Sequence, residues 1–190
     1  MKVGIYGGTF DQMHFGHLIT ARYLLEFREL DKLIFIPCYI SPHKVHKFSS
    51  DENSRLQMLK LALENEPKFE ISEYELENKE ISYTVKTLEH YSKIYDDIEL
   101  IIGYDNLLVF PDWKEPDRIF ELATVVVLKR KTDLNERINK YFELAEFVES
   151  PIVEISSTDI RNRINQKKSV EFLLPNSVID YIKKNNLYTK

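Results

Sequence analysis

The stretch Val3-Gly4-Ile5-Tyr6-Gly7-Gly8-Thr9-Phe10-Asp11, with His14-Phe15-Gly16-His17 just behind it, decides how the rest of the chain is read. Val3 to Tyr6 is a short apolar run that stops at a glycine pair, the pattern of a buried strand ending in a tight turn. Phe15, Leu18, Ile19 and Leu25 then recur at helical spacing to about Arg28. Leu33-Ile34-Phe35-Ile36 is a second apolar run, and it stops at Pro37. Unbroken apolar runs suit strands covered on both faces, and strand, helix, strand in that order begins a parallel sheet with right-handed crossovers.

Outward from this unit the alternation continues. Helices are expected over Ser54–Glu66, stopped by Pro67, and over Ser82–Tyr95. Strands are expected over Phe69–Ser72, over Glu99–Ile102 ending at Gly103, and over Ala123–Leu128. A helix is then expected over Leu134–Phe147, a last strand over Ile152–Ile155, and terminal helices over Ser157–Asn165 and Asn176–Lys184. The polar segment Tyr39–Ser50 reads as a loop. The fold class is therefore α/β: a Rossmann-like, doubly wound parallel sheet flanked by helices, with a C-terminal helical segment. Nothing marks a repeat, a linker or a low-complexity segment, so residues 1–190 read as a single domain.

Composition narrows the function. The 190 residues carry 26 Lys+Arg against 31 Asp+Glu, a net charge of −5, and 43% are hydrophobic. The pI is about 5.6 and the mean hydropathy −0.35. Such a chain buries a core, and it does not hold nucleic acid or anionic membrane by bulk charge; any phosphate needs a local site. Cys38 is the only cysteine, which excludes an internal disulfide or a Cys-rich zinc site and suits a reducing cytosol. No apolar run is long enough for a signal-peptide core or a membrane span, so cytoplasmic residence is expected. Glycine is scarce, 5 residues against roughly 13 at an average usage of about 7%. Four of them, Gly4, Gly7, Gly8 and Gly16, crowd the first sixteen positions, and Gly103 is the fifth.

The glycine pair stands where the first strand turns into the first helix, the place where open α/β sheets bind nucleotides. Neither GxGxxG nor a P-loop is present, and alone the pair reads equally well as a plain turn. His14 and His17, at i and i+3 near a helix N-terminus, share a face and can converge on one ligand. Zinc-binding helices prefer i, i+4 and a third ligand, which this segment lacks. A helix start adds N–H donors for an anion, and Gly16 leaves room for close approach. Further on, Ile155-Ser156-Ser157-Thr158-Asp159-Ile160-Arg161 joins a strand end to a capping box, Ser156-x-x-Asp159. A cap alone leaves Arg161 unexplained, because the dipole at a helix start disfavours a cation unless an anion sits there. Lys44, in Ser41-Pro42-His43-Lys44, is by itself an ordinary loop lysine.

These segments together resemble a known family. Gly7 to His17, GGTFDQMHFGH, resembles the GGTFDPxHxGH signature of the HxGH nucleotidyltransferase superfamily, and within it the bacterial nicotinate-nucleotide adenylyltransferases, with Gln12 in place of the usual Pro. Ser41–Lys44 is similar to that family's PPHK segment, Ser82-Tyr83-Thr84-Val85-Lys86-Thr87-Leu88 to SYTxxTL, Gly103-Tyr104-Asp105 to GxD, and Ile155–Arg161 to ISSTxIR. The resemblance implies adenylyl transfer from ATP to nicotinate mononucleotide, with Mg²⁺ carried on the ATP and no protein metal site. It implies catalytic roles for His14, His17, Lys44 and Arg161. It places ATP against Gly7, Gly8, Thr9, Phe10, Gly103, Asp105, Ser156, Ser157 and Thr158, with Arg161 on the β- and γ-phosphates. The mononucleotide falls to Tyr83 and Thr84, facing its carboxylate, and to Trp113 stacked on its ring. Val109 stands where a second aromatic is usual, with Phe110 or Tyr104 as substitutes. Nucleic acid and membrane are not among the implied partners, and the oligomeric state is open, a homodimer included. Rival readings are an adenylyltransferase for nicotinamide mononucleotide or phosphopantetheine, and a nucleotide-binding regulatory module without turnover.

Overall fold

A computed structural model describes residues 1–42, 50–129, 138–151 and 153–189. The chain runs β1 (Lys2–Gly8), α1 (Phe15–Phe27), β2 (Lys32–Pro37), α2 (Glu52–Leu63), β3 (Phe69–Ile71), α3 (Tyr74–Asn78) and α4 (Thr84–Tyr91). It continues through β4 (Asp97–Gly103), α5 (Tyr104–Leu108), α6 (Pro116–Leu122), β5 (Thr124–Lys129), β6 (Glu146–Glu149), α7 (Ser157–Asn165) and α8 (Asn176–Lys184). Six strands form one sheet in the order β3-β2-β1-β4-β5-β6, and every pairing is parallel. This is the doubly wound order, whose direction reverses between β1 and β4. The carboxyl ends of those two strands, Gly8 and Gly103, flank the crevice that such a reversal opens.

The apolar runs form strands because both sides of each are covered. Ile34, Ile36, Leu100, Ile102, Val125 and Val127 point to one side and pack with α4 and α6 residues such as Leu88 and Ile119. Their neighbours Leu33, Phe35, Ile101 and Val126 point to the other and pack with Met13, Ala21, Leu24 and Leu25 of the α1 segment. Gly4 belongs to this packing: a Cβ there would lie 2.5 Å from Leu33 Cδ1 and 2.7 Å from Leu30 Cδ1. A third cluster joins Met58 of α2 to Ile160 of α7 and to Val178, Ile179 and Ile182 of α8, which fixes the C-terminal helices against the sheet layers. Near the amino ends of the strands, buried Glu99 accepts from Arg28 Nη2 at 2.6 Å and from Lys2 Nζ at 2.9 Å. Arg28 also reaches Glu146 at 2.6 Å, tying β4 to β6.

Two sequence expectations fail. The helix over Leu134–Phe147 is absent where the residues are described. Lys140–Phe142 is a single 3₁₀ turn and Glu146–Glu149 is β6, while 134–137 lie outside the described residues. Tyr141 and Phe142 mimic a helical stripe, but they are buried in a sheet-face cluster, and an edge strand with only Val148 buried shows no alternation. The strand over Ile152–Ile155 is likewise replaced by β6, some six residues earlier. Val153 to Ile155 are irregular, with Ile155 N–H donating to the Val153 carbonyl at 2.9 Å, and Ile155 packs on the C-terminal cluster.

Candidate functional site

The glycine pair is not itself the turn. Gly7 and Gly8 are the last residues of β1, and the left-handed residue is Phe10, at φ 47°. A phenylalanine tolerates that backbone because its ring is buried, 4% exposed, and seated on Gly8, where a Cβ would lie 3.1 Å from Phe10 Cζ. Two arginines clasp the turn. Buried Arg55 of α2 donates from Nη1 to the Thr9 carbonyl at 2.8 Å, and Arg161 donates from Nη1 to the Asp11 carbonyl at 2.5 Å. The Asp11–Gln12 peptide is cis. Asp11 Oδ1 accepts from Ser50 N at 3.2 Å, Ser50 Oγ at 2.6 Å and Tyr188 Oη at 2.6 Å.

His14 is the N-cap of α1, and the two histidines cap each other. His14 Nδ1 accepts from the His17 N–H, and His17 Nδ1 accepts from the His14 N–H, both at 3.4 Å. The rings stack, centroids 3.7 Å apart. With Nδ1 accepting, a neutral imidazole at either position carries its proton on Nε2. Burial holds the His14 pKa down, at about 4, so this ring is neutral at pH 7. Gly16 is the gap that admits the stack: a Cβ there would meet His14 Nδ1 at 2.9 Å.

Two adjoining cavities, about 580 and 220 Å³, open at the carboxyl ends of β1 and β4. The larger is lined by the Gly7–Asp11 turn, His14, His17, Gly103, Asp105, Ser157, Thr158 and Arg161. The smaller is lined by Tyr83, Thr84 and Trp113, and again by Gly7, Gly8, Thr9 and Gly103. Gly7 and Gly103 border both, and a Cβ on either would enter open space, so bare backbone is presented where the cavities meet. Arg161 is the fifth residue of α7 rather than in its first turn, and its side chain reaches back to the cavity; Nη2 donates to Thr158 Oγ1 at 3.1 Å. Lys44 lies outside the described residues.

Ser156 stands apart from the cavity lining. Its hydroxyl accepts from Asp159 N at 3.1 Å and donates to Asp159 Oδ2 at 2.7 Å, and it does not line the cavity. The residue belongs to the cap of α7, whereas Ser157 and Thr158 face the space. The two expected substitutes for a second aromatic occupy different places. Phe110, fully buried, stacks beneath Trp113 at 4.8 Å and braces it, while Tyr104 lines the larger cavity. Opposite Trp113 the smaller cavity has Tyr83, whose ring carries Lys114 Nζ at 4.8 Å.

Several site residues were not read from the sequence. Asn106 borders both cavities, and Glu75 lines the smaller one. Glu75 accepts from Thr87 Oγ1 at 2.6 Å, and burial pushes its carboxyl pKa up. Arg55, Ser50 and Tyr188 act on the turn across long sequence gaps that no local pattern signals. Among the described residues no group of three or more His, Cys, Asp or Glu stands ready to hold a metal ion, and no helix is long and apolar enough to cross a membrane. The arrangement is one for anions: Nε2–H donors, a guanidinium, hydroxyls and bare backbone, with a second compartment for an aromatic ring.

Residues 5–163 match the family model described as cytidylyltransferase-like. The chain is 37% identical over 197 residues to a protein of Caldicellulosiruptor bescii named "probable nicotinate-nucleotide adenylyltransferase", with all of both chains covered. A Clostridium botulinum protein of the same name is 41% identical, with 98% of each chain covered. Among solved structures, the fold resembles that of Plasmodium falciparum nicotinic acid mononucleotide adenylyltransferase complexed with NaAD, at a TM-score of 0.82 and 20% identity, covering 98% of this chain and 97% of that one.

Proposed function

From the premise that this chain belongs to the cytidylyltransferase-like family, we propose that it is a nicotinate-nucleotide adenylyltransferase, joining nicotinate mononucleotide to the AMP portion of ATP with release of pyrophosphate. The observation that carries this reading is the pair of cavities meeting at Gly7, Gly8, Thr9 and Gly103, one lined by phosphate-directed donors and the other by an indole and a helix start. Relatives of the same name over the full length support it.

ATP occupies the larger cavity as its magnesium complex, so the metal arrives with the substrate. The mononucleotide occupies the smaller one, its ring on Trp113 and its carboxylate at the start of α4, near Tyr83 and Thr84. The mononucleotide phosphate attacks the α-phosphorus in line, and the bond to the β-phosphate oxygen breaks. A phosphate monoester is already largely dianionic at pH 7, with a second pKa of about 6, so no general base is required. The chain's task is to align two polyanions and to stabilise the charge on the α-phosphate and the leaving pyrophosphate. His17 and His14 donate from Nε2 to the triphosphate, Arg161 and Lys44 hold the departing pyrophosphate, and Ser157 and Thr158 contact it as well. The reaction is one step of NAD biosynthesis, and the residence we assign is cytoplasmic.

Pyrophosphate release, measured with ATP and each of nicotinate and nicotinamide mononucleotide, tests the reading. The expected result is turnover with a higher kcat/KM for the acid. Turnover preferring the amide would overturn the substrate assignment, and ATP binding without release would mark a regulatory module.

A further inference from the structure

Tyr188 donates from Oη to Asp11 Oδ1 at 2.6 Å, across 177 positions of sequence. Ser50 Oγ reaches the same carboxylate oxygen at 2.6 Å and lies 2.6 Å from Tyr188 Oη. The carboxylate is almost wholly buried, 4% exposed, and its other oxygen, Oδ2, lies 3.5 Å from Arg161 Nη1. We propose that Tyr188 is a positioning residue: with Ser50 it occupies Oδ1 of the Asp11 carboxylate, so that the ion pair of Arg161 with Oδ2 stays long and the guanidinium remains available to the triphosphate. The proposal rests on the adenylyl-transfer reading and extends the site to the segment after α8.

Arg161 is divided among three neighbours. Nη1 donates to the Asp11 carbonyl and makes a long ion pair, 3.5 Å, with Asp11 Oδ2, while Nη2 donates to Thr158 Oγ1. A buried carboxylate is the strongest rival a phosphate has for a guanidinium, because the attraction grows as water is excluded. Hydroxyl donors on Oδ1 lower that pull without adding a charge that would repel Arg161 or attract ATP elsewhere. The phenol is suited to this role. Burial, and then the charge of Asp11, push its pKa above the ordinary value, so the proton stays on Oη as a donor. The ring is held independently of the hydroxyl, since Leu187 and Tyr188 pack on the cluster formed by α2, α7 and α8.

Tyr188→Phe keeps the ring and removes the donor. The expected result is a KM for ATP raised about tenfold, with the KM for nicotinate mononucleotide within twofold of wild type, since only the larger cavity is touched. In an Asp11→Asn background, where no carboxylate competes, the same change should leave the KM for ATP where Asp11→Asn alone puts it. The inference is overturned if Tyr188→Phe lowers the melting temperature with both KM values unchanged. It is also overturned if both KM values rise alike, or if the ATP effect persists in Asp11→Asn. If the wild-type chain releases no pyrophosphate with either mononucleotide, the adenylyl-transfer reading is what fails; the same comparison is then made on ATP affinity by titration, with the same tenfold expectation.

Discussion

Gly16→Ala separates the placement of the two histidines from the stability of the fold. Gly16 is the second residue of α1, and a Cβ there would lie 2.9 Å from His14 Nδ1 and 3.0 Å from His14 Cε1. Comfortable separations are about 3.5–4.0 Å, so the imidazole must retreat by roughly 0.5–1 Å. It cannot retreat onto His17, which already stacks against it at 3.7 Å, and the reciprocal 3.4 Å hydrogen bonds have no slack to follow. Stability should change little: alanine gains about 0.8–1.0 kcal/mol of helix propensity over glycine, against about 1–3 kcal/mol for overpacking. The net loss is therefore at most about 2 kcal/mol. The rate should change much more, because a 1 Å misplacement in a reacting constellation costs about 10²-fold, close to 2.7 kcal/mol of barrier. Urea titration gives the first quantity, and single-turnover pyrophosphate release the second. A kcat within threefold of wild type in a folded variant would refute the reasoning, since the stack would then not need its observed geometry.

Three other perturbations read separate parts of the structure. His17→Ala removes one Nε2–H donor and should lower kcat by about 10²–10³, while the lost cap bond lowers stability by only about 0.5–2 kcal/mol and leaves the chain folded; an unchanged kcat would remove His17 from the mechanism. Burial holds His14 near a pKa of 4 against the ordinary 6.5, so the unfolded chain takes up a proton that the folded chain refuses. Stability should fall as the pH drops through that window, by about 3 kcal/mol at its lower end. His14→Gln should lack this slope when urea titrations at pH 7 and 4.5 are compared. Gln12 is fully buried, and among the described residues neither its Nε2 nor its Oε1 has a hydrogen-bond partner. Gln12→Met should therefore raise the unfolding free energy, by about 1–3 kcal/mol; a lower urea midpoint would show that the amide contributes something its contacts do not reveal.

The sheet was legible because its strands are covered on both faces. A run such as Leu33–Ile36 has few other uses than a buried parallel strand, and the doubly wound order follows from alternating such runs with helices. The short helices α3, α5 and α6, of five to seven residues, were not read, since a single turn or two shows no period. The edge strand β6 escaped for the same reason, and a false helical stripe through Tyr141 and Phe142 took its place. At the site, the turn, the histidine pair and the Ser157-Thr158 segment carry their chemistry in consecutive residues. Arg55 and Tyr188 do not: they contact the turn from 46 and 177 positions away. Ser156 is the converse case, a residue inside a legible motif whose hydroxyl is engaged by the helix cap.

The Asp11–Tyr188 contact also sets a timetable. Chains emerge from the ribosome at about 5–20 residues per second, so roughly 9–35 s separate the synthesis of Asp11 from that of its phenol partner. Between the synthesis of Gly103 and that of Arg161 the nascent chain holds β1, β2 and β4, enough to begin the sheet, yet its Gly7–Asp11 turn lacks both Arg161 and Tyr188. An intermediate stalled before α7 should therefore be a folded nucleus that binds ATP poorly. Competence would arrive late, with the final stretch of the polypeptide, and not gradually as the sheet is assembled.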